Sequence, residues 1–381
     1  MRNRRTFFNA VLGCAVIAGQ HCCEAGETPY LTQIAEKAES RYGRLNDLLS
    51  SGTRPVRSSS DWPDRRAEIN ATLLTYLGPF PRNRCDIQPR ILREEQIDGY
   101  TRKKVRYLTE PGEDVTAFLL IPDGATSTSL RPAVLACHQT SEPAKEEVCG
   151  VTSSPASMQY GLDLVRRGYV VLAPDSITAG ERVYDGYEPF ETKGFDERNP
   201  QWSAIGKMAW DHMRGLDYLE LQPYVDRDRI GVVGHSLGAY NAFFLAGLDE
   251  RVKVVVESCG YCTIASDPGR ERWARTKWFV HMPRLRPFVA PGSKLKSPFD
   301  FHEVLSLIAP RPLFQSVGLQ DKIFGTADSA AQVHLQLQKL YGLLGAGDKL
   351  ETYFFDGPHD FPPDAKERAY AFLDRWLKPD R

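Results

Sequence analysis

The chain has 381 residues, 48 Lys and Arg against 49 Asp and Glu, a formal net charge of −1 and 42% hydrophobic residues. That length buries a substantial core, in one large domain with small additions. The near-neutral balance argues against nucleic acid as a partner, and past the N-terminus no apolar run is long enough to span a membrane.

Residues 1–25 read as an export signal and not as part of the fold. Arg4-Arg5 precedes an apolar run over residues 7–18, the order such a signal requires. Asn3-Arg4-Arg5-Thr6-Phe7-Phe8 resembles a bacterial twin-arginine signal. Cleavage after Ala25 and a periplasmic or extracellular mature chain are the expectation. Val11-Leu12-Gly13-Cys14 has the form of a lipoprotein box, but the apolar run before Cys14 is very short. An uncleaved membrane anchor would need a longer run than residues 7–18.

Cys14, Cys22 and Cys23 leave with the signal. Cys85, Cys137, Cys149, Cys259 and Cys262 remain, an odd number. An exported chain can pair some of them. Cys259-Gly-Tyr-Cys262 has metal-ligand spacing but no second pair to complete a zinc site. Buried thiols behind a sheet are the simpler expectation.

Residues 26–90 form a helical lead-in. Apolar residues recur at helical spacing over 31–49 and 62–77, and Asp61-Trp62-Pro63-Asp64 suits a helix start. A Ser/Arg/Pro linker over 51–60 separates the two helices, and Pro79, Pro81 and Pro89 end the helical region.

From Ile91 onward the period changes to two. Residues 91–97, 102–108 and 115–121 predict three antiparallel strands, with turns at Asp98-Gly99 and Pro111-Gly112. Short buried strands follow at 133–137, 169–173, 230–233, 252–257, 312–317 and 351–355. Helices are expected at 157–167, 203–221, 239–248 and 327–344. This alternation predicts an α/β fold, a mostly parallel sheet with helices on both faces. Ligands of such sheets bind beyond the carboxyl ends of the strands.

The most informative stretch is residues 226–247, DRDRIGVVGHSLGAYNAFFLAG. A β-branched run is followed by Gly234-His235-Ser236-Leu237-Gly238 and then by small and apolar residues at helical spacing. This is a G-x-S-x-G nucleophile elbow in a strand–turn–helix setting. Ser236 is the expected nucleophile, and the two glycines let strand and helix approach closely. The N–H of Leu237, in the first turn of the helix, is placed to hold a developing oxyanion.

A serine nucleophile needs a base, and the base needs an orienting acid. His359, in Gly357-Pro358-His359-Asp360-Phe361, follows the last strand at the edge where Ser236 stands. His138, which also ends a strand, is its one rival. Asp321 follows the strand at 312–317 and is favoured as the acid, with Glu257, at the end of the strand before it, as the competitor and otherwise a candidate to line the substrate pocket. Gln139, in the loop after strand 133–137, supplies the second expected oxyanion N–H. His138 itself is a candidate for substrate contact. Arg182 points into the site or pairs with Glu181 or another acid. Residues 262–301 form a lid-like insertion carrying Trp273, Trp278 and Phe279 among Arg and Lys residues. Such aromatics grip a sugar face if exposed and are packing if buried.

Five stretches together carry a family resemblance: VLACHQT, GYVVLAPDSITAGER, MAWDHMRGLDYLELQPYVDRDRIGVVGHSLGA, HEVLSLIAPRPLFQSVGLQDKIF and FFDGPHDF. With them, residues 91–381 resemble the α/β-hydrolase superfamily, and within it the acetyl xylan esterase, dienelactone hydrolase and prolyl oligopeptidase-like group. The resemblance implies Ser236 as nucleophile, Asp321 as acid and His359 as base, with no metal and no cofactor. Many relatives carry His-Gly-Gly-like turns where this chain has His138-Gln139-Thr140, so the acyl side of the pocket is expected to differ. The chain also lacks the arginine after serine that marks glucuronoyl esterases, which weakens a uronic-ester assignment. An exported serine esterase acting on short acyl (acetyl) esters of carbohydrate is the first reading. A peptidase is disfavoured because no propeller-sized domain precedes the hydrolase pattern. A non-catalytic carbohydrate-binding protein would not need Ser, Asp and His together.

Overall fold

Nine strands alternate with helices through residues 27–378, the part of the chain that the computed structural model describes. The export-signal expectation therefore lies outside the described residues. Two helices lead, α1 (Glu27–Tyr42) and α2 (Trp62–Leu77). Three antiparallel strands follow, β1 (Arg90–Ile97), β2 (Tyr100–Glu110) and β3 (Glu113–Pro122). Next come β4 (Arg131–Cys137), α3 (Lys145–Val148), α4 (Tyr160–Arg166), β5 (Val170–Pro174), α5 (Lys193–Arg198) and α6 (Ala204–Glu220). β6 (Val225–His235) then leads into α7 (Leu237–Leu248), followed by β7 (Val254–Ser258), α8 (Arg286–Val289) and α9 (Phe301–Ser306). β8 (Leu313–Gly318), α10 (Ala330–Leu343), β9 (Leu350–Phe355) and α11 (Pro363–Leu377) complete the order.

All nine strands join one sheet in the order β1-β2-β3-β5-β4-β6-β7-β8-β9. β3 pairs antiparallel with β5, and every pair from β5 to β9 is parallel. Residue alternation divides the core between the two faces. Leu135, Val232 and Val255 face one side, with α2, α6, α7 and α10. Val134, Val233, Val254 and Val256 face the other, with α4 and α11. The α/β-hydrolase fold expected from the sequence is the fold of this chain.

The differences from expectation are local. The first helix ends at Tyr42, not Leu49, because Gly43 takes φ +85° and its N–H returns to the Glu39 carbonyl at 2.9 Å. α7 begins two residues early, at Leu237. α11, whose Leu373 and Phe372 fill the second face, is an additional helix beyond those the sequence pattern predicts.

The lead-in packs on the catalytic core. Leu73 and Leu77 are buried with α6 and α7 residues, and Arg65 pairs with Glu303 at 2.8 Å. Gly206 meets the end of α2 so closely that a Cβ there would lie 2.0 Å from the Leu77 carbonyl oxygen. All five described cysteines are free thiols, and all but Cys85 are buried.

Candidate active site

The elbow is built by steric necessity. Ile230, Val232 and Val233 bury β6 in the middle of the sheet, and the chain then reverses at Ser236 with φ 53°, ψ −117°. A non-glycine residue in such a conformation carries about 1–3 kcal/mol of strain. The surroundings hold it there: Ser236 N–H donates to the Ser258 carbonyl of β7 at 2.8 Å, and its own carbonyl accepts from Ala239 and Tyr240. A Cβ on Gly234 would lie 2.1 Å from the Gly238 carbonyl group, and one on Gly238 2.0 Å from the Cys137 carbonyl oxygen. Only glycine fits either place. The second contact presses the first turn of α7 against the end of β4, which sets Leu237 beside the loop that carries Gln139. The N–H groups of Leu237 and Gln139 have no acceptor among the described residues.

His359 reaches the elbow by a loop that folds back across the sheet edge. Leu319 N–H donates to the Phe355 carbonyl at 2.9 Å, and a Cβ on Gly318 would lie 2.5 Å from the Pro358 carbonyl oxygen. The Cys259 thiol, at the end of β7, donates to the Asp360 carbonyl at 3.5 Å. The loop thus passes over β8 and β7 and sets the His359 ring 4.8 Å from that of His235, the residue before Ser236. His359 Nδ1 lies 2.6 Å from Asp321 Oδ2. The other carboxylate oxygen accepts from Ile323 N–H at 2.7 Å and Phe324 N–H at 2.9 Å. Asp321 is buried and fully engaged, while His359 keeps 15% of its side chain exposed.

Burial shifts the neighbouring histidines toward the neutral form. Burial, then the proximity of His359, depresses the His235 imidazole well below its ordinary range, and its Nδ1 lies 3.1 Å from Ser258 Oγ. Burial also lowers His138, which bridges two loops: Nδ1 meets the Gln139 carbonyl at 2.7 Å, and Nε2 accepts from Ser176 N–H at 3.0 Å. His138 is thereby occupied in bracing the Gln139 loop, with none of its side chain presented to substrate. The Gln139 side chain is fixed as well, by Glu147 and by Tyr160, whose hydroxyl donates to its Oε1 at 3.1 Å.

Other sequence candidates fall elsewhere. Arg182 donates to Asp211 at 2.8 Å in a buried ion-pair cluster with Lys207, and does not pair with Glu181. Glu257 lies under α7 near Ala239 and Phe243; its Oε2 accepts from Gly260 N–H at 3.1 Å, and its Oε1 has no partner among the described residues. Burial pushes its carboxyl up to about 8, with the Gly260 bond opposing. Trp273 is 1% exposed and packs on Tyr240, His281 and Phe301, so it is core and does not reach over the cleft. Trp278 is 46% exposed, its Nε1–H donating to the Pro189 carbonyl at 3.1 Å. It leans on Phe190, whose ring is 6.5 Å from His138. The expected lid is therefore mostly a packed layer with one exposed aromatic.

Cys259, Asp321 and His359 also bring potential metal-ligand atoms within 4.8 Å of one another. Burial, and next the charge of Asp321, push the Cys259 thiol up, away from the thiolate form a metal ligand needs. Cys259 Sγ, Asp321 and His359 Nδ1 each have a hydrogen-bond partner within the protein. Sequence reasoning gave no role to Phe324, whose ring lies 5.8 Å from that of His359. Its only signal is an apolar residue three places after Asp321.

A family model described as Abhydrolase family (Abhydrolase_7) matches residues 50–339. The chain is similar to the Bacillus subtilis protein YtaP, named only as a hydrolase: 26% identical over 320 residues, covering 82% of this chain and 100% of that one. It is also similar to a 4-O-methyl-glucuronoyl methylesterase of Phanerochaete carnosa, 24% identical over 87% of this chain and 79% of the relative. Among solved structures, a glucuronoyl esterase from Solibacter usitatus superposes with a TM-score of 0.70 at 19% identity, covering 88% of this chain and 99% of that one, and so shares its fold. With its sheet order, its elbow and a family match over most of its length, this chain belongs to the abhydrolase family.

Proposed function

We propose that the protein is a serine carboxylic-ester hydrolase acting on carbohydrate esters through an acyl-enzyme. The observation that carries this reading is the Asp321–His359 bond at 2.6 Å, formed beside the strained Ser236 turn. Asp321 fixes the imidazole with Nδ1–H toward its carboxylate, which leaves Nε2 to act as base. Nε2 takes the Ser236 hydroxyl proton as Oγ attacks the ester carbonyl. The N–H groups of Leu237 and Gln139 receive the negative oxygen of the tetrahedral intermediate. Nε2–H then protonates the leaving alcohol. Water repeats the sequence on the acyl-enzyme, releasing the acid and restoring Ser236.

Short acyl esters, acetyl above all, are the proposed substrates, because the residue after the nucleophile is the buried, apolar Leu237 and not a cation. The similarity to a glucuronoyl methylesterase favours a second reading, a methyl ester of a uronic acid. Comparing kcat/KM for acetylated xylan oligomers and for a methyl glucuronate ester separates the two. Activity confined to peptides, or absent on every ester, would overturn both. The leader at residues 1–25 supports export, tested by sequencing the N-terminus of the mature protein, which should begin near Gly26. No helix among the described residues is long and apolar enough to cross a membrane.

A further inference from the structure

The start of the 262–301 insertion is tied to the loop that carries the triad acid. Thr263 N–H donates to Ser329 Oγ at 3.0 Å, and Ser266 Oγ lies 2.9 Å from Thr326 Oγ1. The third tie is Arg272, and it is the one closest in sequence to the acid. One terminal nitrogen donates to the Ile323 carbonyl at 2.6 Å. In the rest of the fork, Nη2 donates to Oδ1 of the buried Asp267 at 3.1 Å, and Nε, at an ion-pair distance of 2.9 Å from Oδ2, donates to the Gly269 carbonyl at 3.1 Å. The guanidinium carbon lies over the Phe324 ring, 5.2 Å from its centre, and Phe324 in turn lies against the His359 ring.

Ile323 and Phe324 are the two residues whose N–H groups hold Asp321 Oδ1. Arg272 thus grips, by carbonyl and by ring, the same two residues that fix the carboxylate. A planar fork anchored on a buried acid suits this task, since its direction is set before it meets the loop.

From this geometry we infer that Arg272 is a positioning residue of the triad, clamping the Ile323-Phe324 turn so that Asp321 presents Oδ2 to His359 Nδ1. The inference rests on the triad reading given above. The insertion then contributes to the reaction itself by setting the acid that orients the base. Small displacements of catalytic groups are costly, so release of the turn should appear in kcat.

The test is a kinetic cycle on 4-nitrophenyl acetate, a substrate too small to reach the insertion, with Arg272→Met and Asp321→Asn singly and together. Arg272→Met should lower kcat roughly 10- to 100-fold with KM nearly unchanged. In the Asp321→Asn background, Arg272→Met should add little further loss, since the group it positions is already disabled. A full additive loss, or a loss confined to KM, would overturn the clamp while leaving the triad standing. An Asp321→Asn enzyme with undiminished turnover would overturn the triad reading and the clamp with it. If Arg272→Met does not fold, Arg272→Lys, which keeps the charge beside Asp267 but not the fork, carries the same cycle.

Discussion

His359 Nδ1 lies 2.6 Å from Asp321 Oδ2, and the second oxygen of that carboxylate is held by two backbone N–H groups of its own loop. Glu257, one strand earlier, faces away under α7 and bonds to Gly260. Asp321→Asn should therefore lower kcat for an aryl acetate by roughly 10³- to 10⁴-fold, through the wrong imidazole tautomer. Glu257→Gln should lose far less. The reverse order in steady-state kinetics would place the acid after β7.

Glu257 instead makes a prediction about stability. In the folded protein burial keeps its carboxyl protonated up to about pH 8, whereas the unfolded chain releases that proton near 4.5. Between these values the unfolded state holds fewer protons, so this group's contribution to stability falls as pH rises from about 4.5 to about 8. Glu257→Gln removes the titration while keeping the shape. Its melting temperature relative to the parent should rise between pH 5 and pH 8.5. An equal difference at both pH values would contradict the buried, neutral state.

Much of this arrangement was legible in the sequence, because it rests on local signals. The nine strands are β-branched or alternating runs bounded by turn residues, and the elbow is a contiguous strand, glycine turn and helix. The meeting of Asp321 and His359 follows from which loops leave the same edge of a parallel sheet. What stayed hidden was pairing at a distance. Arg182 and Asp211 are 29 residues apart and meet only when β5 packs against α6. The four-residue α3 and α8 are too short to show a period. In the insertion, Trp273, Phe279, Met282 and Leu285 are buried without helical or strand spacing, so abundant Arg and Lys made a packed layer read as a solvated lid.

The two tryptophans of that layer should behave differently. Trp273→Ala empties a buried site and should cost about 3–5 kcal/mol of stability, read by denaturant unfolding. Trp278→Ala removes an exposed ring and should leave stability nearly unchanged. If Trp278 contacts carbohydrate, its loss should lower kcat/KM for an acetylated xylo-oligomer by roughly 5- to 150-fold, equivalent to about 1–3 kcal/mol, and leave 4-nitrophenyl acetate unaffected. Equal losses on both substrates would remove Trp278 from substrate binding.

The central claim is that Ser236 is the nucleophile. It is tested most directly by the turnover of 4-nitrophenyl acetate in Ser236→Ala, measured beside the parent at equal concentration with folding checked by circular dichroism and melting. Alanine keeps the Cβ and the backbone of the turn, so the fold should survive while kcat falls roughly 10⁴-fold or more. A folded Ser236→Ala protein with near-parental turnover would contradict the acyl-enzyme mechanism and the assignments built on it.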